Sequence, residues 1–149
     1  MCRNRRFIDL AKQVALSSPN SKHRHASLLT KGGRVLAVGQ NTELAVYPNH
    51  HRTRHAEEDV LRSGTLRKTV CNLYVVRVTW GEGQLSDSLP CSTCMSFLLF
   101  TRVRQVFYTD KNGEMHSINL NTLRTRLAKQ GTGAPYYRTL RHLASSEDQ

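Results

Sequence analysis

Two short stretches hold the side chains best suited to chemistry: His55-Ala56-Glu57 and Pro90-Cys91-Ser92-Thr93-Cys94. One histidine and two cysteines are the number and kind of donors that a catalytic zinc ion takes from a protein, leaving a fourth tetrahedral position for water. Zinc lowers the pKa of such a water from about 15.7 to near 7, so a nucleophile exists at neutral pH. Glu57, two residues beyond the histidine, is a carboxylate able to move protons on that water.

The spacing must be realised on helices. Cys91 and Cys94 are i and i+3 on a helix predicted to begin at Pro90, which sets both sulfurs on one face. In a first turn the helix dipole and the free N–H groups favour thiolates, the form that binds metal. His55 is predicted to open another helix, with Ala56, Val60 and Leu61 facing inward and Gly64 as its C-terminal cap. Glu57 points away from His55 on that helix, as a proton carrier rather than a ligand should. Two other readings of the cysteines compete. A redox pair is one. A structural zinc site is the other, with His50 or His51 as its fourth ligand. The His-Ala-Glu triplet, the proline before Cys91 and the placement of both pieces at helix starts favour the catalytic site.

The remaining elements follow from periodicity. Phe7, Ile8, Ala11, Val14 and Ala15 predict a helix over 5–17 with one apolar face, broken at Ser17–Ser21. Ala26–Thr30 and Arg34–Gly39 flank Gly32-Gly33 as a hairpin. Residues 42–54 read as a loop. Cys71–Val78 is rich in β-branched residues and reads as a central strand. Trp80–Leu89 reads as a loop. The helix body Met95–Phe100 is apolar nearly all round and is expected to be buried. A strand over 105–109, a turn at Asp110–Gly113, a helix through Leu120, Leu123 and Leu127, and a short terminal helix at Tyr136–Leu143 complete the pattern; the tail 145–149 is expected to be loose. The order α-β-β-α-β-α-β-α predicts an α/β sheet with helices on both faces and parallel pairing in its second half.

At 149 residues the chain is expected to form one domain. It has no apolar run of the roughly 18 residues a membrane span needs. The basic start, Met1–Arg6, leads into an amphipathic segment, so no secretory signal is expected, and the predicted location is cytoplasmic or nuclear. In that setting Cys91 and Cys94 favour metal over a disulfide, while Cys2 and Cys71 read as a terminal residue and a small buried one. The net charge of +11 points to polyanionic partners, nucleic acid or phosphorylated small molecules.

With these residues in place the chain resembles the cytidine/deoxycytidylate deaminase superfamily. The shared residues are His55-Ala56-Glu57, Pro90-Cys91-Ser92-Thr93-Cys94 and, in support, the hairpin from Arg24 to Asn41. The resemblance covers roughly residues 5–115. It implies a three-layer α-β-α sandwich around a mixed five-stranded sheet, and hydrolytic removal of an exocyclic amine from a nucleobase. By that resemblance His55, Cys91 and Cys94 hold Zn2+, and Glu57 shuttles protons. Ala56 contacts the base through its backbone, Pro90 belongs to the substrate side of the motif, and Asn41 hydrogen-bonds base or sugar. A homo-oligomer is the expected assembly.

Two departures bear on substrate. Thr79–Leu89 is an insertion, and its Trp80 can stack on a base, close the pocket or anchor packing. His25-Ala26-Ser27 stands where relatives have a small Gly-Ala pair, so His25 either enters the site or packs in the strand. Three functions compete. One is a small-molecule enzyme for cytosine nucleosides or nucleotides, with Arg24, Arg52 or Arg54 binding a phosphate. Another is a polynucleotide enzyme for cytosine or adenine in single-stranded DNA or RNA, favoured by the charge and by Tyr136, Tyr137, Arg138 and Arg141. The third is an inactive zinc-stabilised nucleic-acid-binding module, against which the retained Glu57 argues.

Overall fold

The computed structural model describes residues 3–18, 24–45, 51–62 and 70–130, with backbone only for 43–45, 51–53 and 130. The predicted Gly64 cap, the fourth-ligand candidate His50, Cys2 and everything predicted beyond residue 130 lie outside the described residues, as does the His51 side chain.

A six-stranded sheet forms the middle layer. Its elements are α1 (Arg3–Leu16), β1 (Arg24–Lys31), β2 (Arg34–Gln40), β5 (Cys71–Val78), β6 (Leu85–Ser86), β7 (Val103–Thr109) and β8 (Met115–Asn119), with α2 (Ala56–Leu61), α3 (Ser92–Leu99) and α4 (Leu120–Gln130). The strand path is β2-β1-β5-β7-β8, with the two-residue β6 paired to β5. Only β5 and β7 run parallel; the remaining pairs are antiparallel. The chain is thus mixed α/β, with the predicted five strands as its main path.

Alternation along the strands sorts the two faces. Ala26, Leu28, Tyr74, Val76 and Phe107 pack under Phe7, Ile8, Ala11 and Ala15 of α1. Leu29, Leu73, Val75, Val106 and Tyr108 face the opposite way, with Val60 of α2, Met95 and Leu98 of α3, and Leu120 and Leu123 of α4. The strand β5 is central because its Leu, Val and Tyr residues are buried on both faces.

The structure corrects four expectations. Residues 42–54 are not only loop: β3 (Thr42–Ala45) and β4 (His51–Arg54) pair antiparallel as a separate ribbon. The segment after the Asp110–Gly113 turn is β8, an edge strand whose half-polar sequence masks its alternation. The helix predicted at Pro90 starts at Ser92, and Cys91 is its N-cap. The body of α3 is not wholly buried, since Phe97 is 55% and Phe100 is 92% exposed. Among the described residues no helix is long and apolar enough to cross a membrane.

Candidate metal centre and substrate pocket

The site is assembled where α2 and α3 begin, above one face of the sheet. The His55 backbone is extended, and its carbonyl accepts the Asp59 N–H at 3.0 Å, which closes the first turn of α2. Asp59 then ties that turn down: Oδ2 accepts the Gln40 N–H at 3.1 Å, and Oδ1 pairs with Arg54 at 3.2 Å. Cys91 caps α3, its sulfur accepting the Cys94 N–H at 3.5 Å.

Ser88 fixes the approach to Cys91. Its hydroxyl donates to the Val75 carbonyl at 2.7 Å and accepts the Thr109 N–H at 2.8 Å. Its own N–H reaches the Thr109 carbonyl at 2.9 Å, and the Thr109 hydroxyl donates to Ser86 at 2.6 Å. The loop into the metal motif is therefore bolted to β5 and β7.

His55 Nδ1 stands 3.6 Å from Cys91 Sγ and 3.4 Å from Cys94 Sγ. The three donor atoms lie within 4.8 Å of one another. Tetrahedral zinc with N and S bonds of about 2.0 and 2.3 Å requires N···S separations of about 3.6 Å, so the donor set fits the ion in distance as well as in chemistry. Burial, and then the negative charges of Glu57 and Cys91, push the Cys94 thiol upward in the metal-free site. A divalent cation reverses that balance by favouring the thiolate. Glu57 is buried beside the group, and desolvation raises its carboxyl above the ordinary 4.5 despite its own backbone N–H and the neighbouring His55.

A cavity of about 360 Å³ opens on this centre, lined by His25, Asn41, His55, Ala56, Glu57, Arg77, Asp87, Ser88, Leu89 and Cys91. That volume is in the range of small-molecule sites. Asn41 is buried, and its Oδ1 accepts the His25 N–H at 2.9 Å and the Ser18 hydroxyl at 3.2 Å.

Of the residues predicted for the site, the structure gathers His25, Asn41, His55, Ala56, Glu57 and Cys91 around the cavity, with Cys94 buried behind it. Pro90 is buried next to Cys91 and outside the lining. Trp80 is 74% exposed and also outside the lining. Two of the arginines expected to hold phosphate are engaged elsewhere: Arg24 donates to the Thr79 carbonyl at 2.6 Å, and Arg54 holds Asp59. The sequence reading singled out the 79–89 segment for substrate without naming Asp87, Ser88 or Leu89, and it missed Arg77. The insertion was the available signal for those three; Arg77 gave none, being read as part of a central strand.

Residues 1–110 match the family model described as "Cytidine and deoxycytidylate deaminase zinc-binding region". No curated protein sequence matches the chain. Among solved structures it is similar to cytidine deaminase from Burkholderia pseudomallei, at TM-score 0.59 and 22% identity over 80% of this chain and 94% of that one. It is similar also to dCMP deaminase from the cyanophage S-TIM5 in apo form, at TM-score 0.54 and 17% identity over 72% of this chain and 82% of that one. At such identities these likenesses speak for the fold, while the family model speaks for the motif. The His/Cys/Cys cluster falls within the residues matched by this zinc-binding model, and the chain belongs to the cytidine and deoxycytidylate deaminase family.

Proposed function

We propose that the protein is a zinc-dependent hydrolase that converts cytosine to uracil in a nucleoside or nucleotide. The observation that supports this most is the convergence of His55 Nδ1, Cys91 Sγ and Cys94 Sγ within 4.8 Å, beside a buried glutamate in one small cavity. In this reading His55, Cys91 and Cys94 hold the ion. When bound, zinc acidifies water and makes it a nucleophile at neutral pH.

The chain's own groups do the rest. Glu57 takes a proton from the attacking water and passes it to the ring nitrogen, then helps the amine leave as ammonia. Its desolvated, raised carboxyl suits a group that must both accept and return protons. Water and cytosine give uracil and ammonia, with no redox change. Asn41 and the Ala56 backbone orient base and sugar, and His25 closes the same wall. Pro90 stiffens the entry to Cys91. The whole chain serves as one domain, and a cytoplasmic or nuclear setting keeps two thiolates available as ligands.

The charge of +11 favours a second reading, deamination within single-stranded DNA or RNA. The two readings separate on one panel. Zinc-loaded protein is incubated with cytidine, deoxycytidine, their monophosphates and cytosine-containing oligonucleotides, and ammonia and uracil are measured. The proposal expects one ammonia per uracil from the small substrates. Conversion confined to oligonucleotides, with affinity falling steeply as salt rises, would transfer the assignment to the second reading. No uracil from any substrate overturns both.

A further inference from the structure

Arg77 is the cation of the pocket that the chemistry above does not use. It lies on β5 with Leu73 and Val75 on the face that carries α2 and α3, because residues two apart share a side of the sheet. Its partner across β1 is His25, and across β6 it is Ser86. Ser88, three residues before Cys91, is bonded to Val75, so Arg77 lies about 7 Å further along the same strand. The pocket thus runs from the metal ligands toward a guanidinium that lines the same cavity.

Arg77 is partly buried, and its guanidinium makes no hydrogen bond or ion pair among the described residues. Asp87, which also lines the cavity, does not pair with it; Asp87 Oδ1 accepts the Leu89 N–H at 3.1 Å instead. The planar fork of donors on Arg77 matches two oxygens of a phosphate. Arg24 and Arg54, by contrast, are already engaged by protein groups.

We propose that Arg77 is a phosphate-binding residue of the substrate pocket, so that the protein selects a phosphorylated cytosine substrate over the free nucleoside. The inference rests on the deaminase reading for what the rest of the pocket holds. The phosphate can belong to a mononucleotide or to the backbone of a single strand, and the same guanidinium serves either.

The test has a binding arm that does not require turnover. Calorimetry measures dUMP, deoxyuridine and a uracil-containing oligonucleotide against zinc-loaded wild type, Arg77→Gln and Arg77→Lys. In parallel, kcat/KM is measured for dCMP, deoxycytidine and a cytosine-containing oligonucleotide. Wild type is expected to prefer the phosphorylated member by about 10- to 100-fold, the value of one charge-assisted contact. Arg77→Gln should bring the preference close to one, through KM rather than kcat, and Arg77→Lys should restore part of it. A loss confined to the oligonucleotides supports the subsite and assigns its phosphate to the polymer. A wild-type ratio near one, or a ratio that survives Arg77→Gln, overturns the proposal. Absence of turnover with an intact dUMP preference that Arg77→Gln removes would sink the deaminase reading and leave the subsite standing. Should Arg77→Gln lose its cooperative melt, Arg77→Lys carries the comparison, and a phosphate preference in Arg77→Lys equal to that of wild type overturns the proposal.

Discussion

Gly39 of β2 and Ala56 of α2 approach so closely that a Cβ on the glycine would stand 2.4 Å from the Ala56 carbonyl oxygen. It would also lie 2.7 Å from the Val60 backbone nitrogen. Both neighbours are backbone of one helix, which cannot yield locally. The absence of a side chain therefore seats the first turn of α2 on the sheet, and with it His55 and Glu57. Gly39→Ala is expected to destabilise the protein by about 1–3 kcal/mol and to weaken zinc binding as α2 is displaced. Thermal melts and a zinc titration check this, and a variant matching wild type in both would remove Gly39 from the account.

Metal and stability should be lost together at the cysteines. In the metal-free site Cys94 is protonated at neutral pH, since burial and nearby negative charge raise it. Zinc uptake must then release a proton, and affinity should weaken as pH falls. Cys91→Ala and Cys94→Ala should each leave the chain without stoichiometric zinc and with a lower melting temperature. Elemental analysis and calorimetry in buffers of different ionisation enthalpy measure both effects. Full zinc occupancy in Cys94→Ala would contradict the ligand assignment.

Arg124 of α4 closes the far end of α3. Its guanidinium donates to the carbonyls of Leu98, Leu99, Thr101 and Val103, at 3.2, 3.0, 2.8 and 3.2 Å. Leu98 and Leu99 belong to the last turn of α3, Thr101 to the link that follows and Val103 to the start of β7, so one guanidinium ties the helix end to the strand. Removing the fork should cost about 2–4 kcal/mol in Arg124→Ala, while Arg124→Lys recovers only part because an ammonium cannot reach all of them. Urea denaturation measures the difference. Equal midpoints for wild type and Arg124→Ala would show the contacts to be idle.

The turn between β7 and β8 carries a pH-dependent contact. His116 Nε2 lies 2.8 Å from Asp110 Oδ2, and that bond, together with the Glu114 and Asn112 N–H groups, holds the Asp110 carboxyl below its ordinary 3.8. A carboxylate lowered on folding adds stability above its unfolded pKa, and that stability disappears as pH drops through the folded value. The gap in melting temperature between wild type and Asp110→Asn should therefore close as pH falls below about 4. A gap that widens on acidification would reverse the assignment.

The metal centre was legible because its chemistry is local. Two cysteines three apart and a histidine two before a glutamate announce their roles without a fold. The strand β5 was equally legible, since burial on both faces demands an unbroken apolar run. The edge strand β8 was not, because Met115-His116-Ser117-Ile118-Asn119 buries only Ile118 fully. The ribbon of β3 and β4 was missed for the same reason: little in Thr42–Ala45 and His51–Arg54 announces pairing. Arg77 was hidden by its context, since only the register with His25 and Ser86 reveals which face it takes. Cys91 was placed two positions too far into its helix, as a capping sulfur imitates a first-turn residue in spacing.

The central claim is that His55, Cys91 and Cys94 hold a zinc ion while Glu57 moves the protons without being a ligand. The most direct measurement takes zinc content and steady-state cytosine deamination from the same preparations of wild type and Glu57→Gln. The account expects one zinc per chain in both, and turnover lower by about 10²- to 10⁴-fold in the variant, the usual contribution of a positioned acid–base group. Retained turnover in Glu57→Gln, or loss of its zinc, would contradict the account.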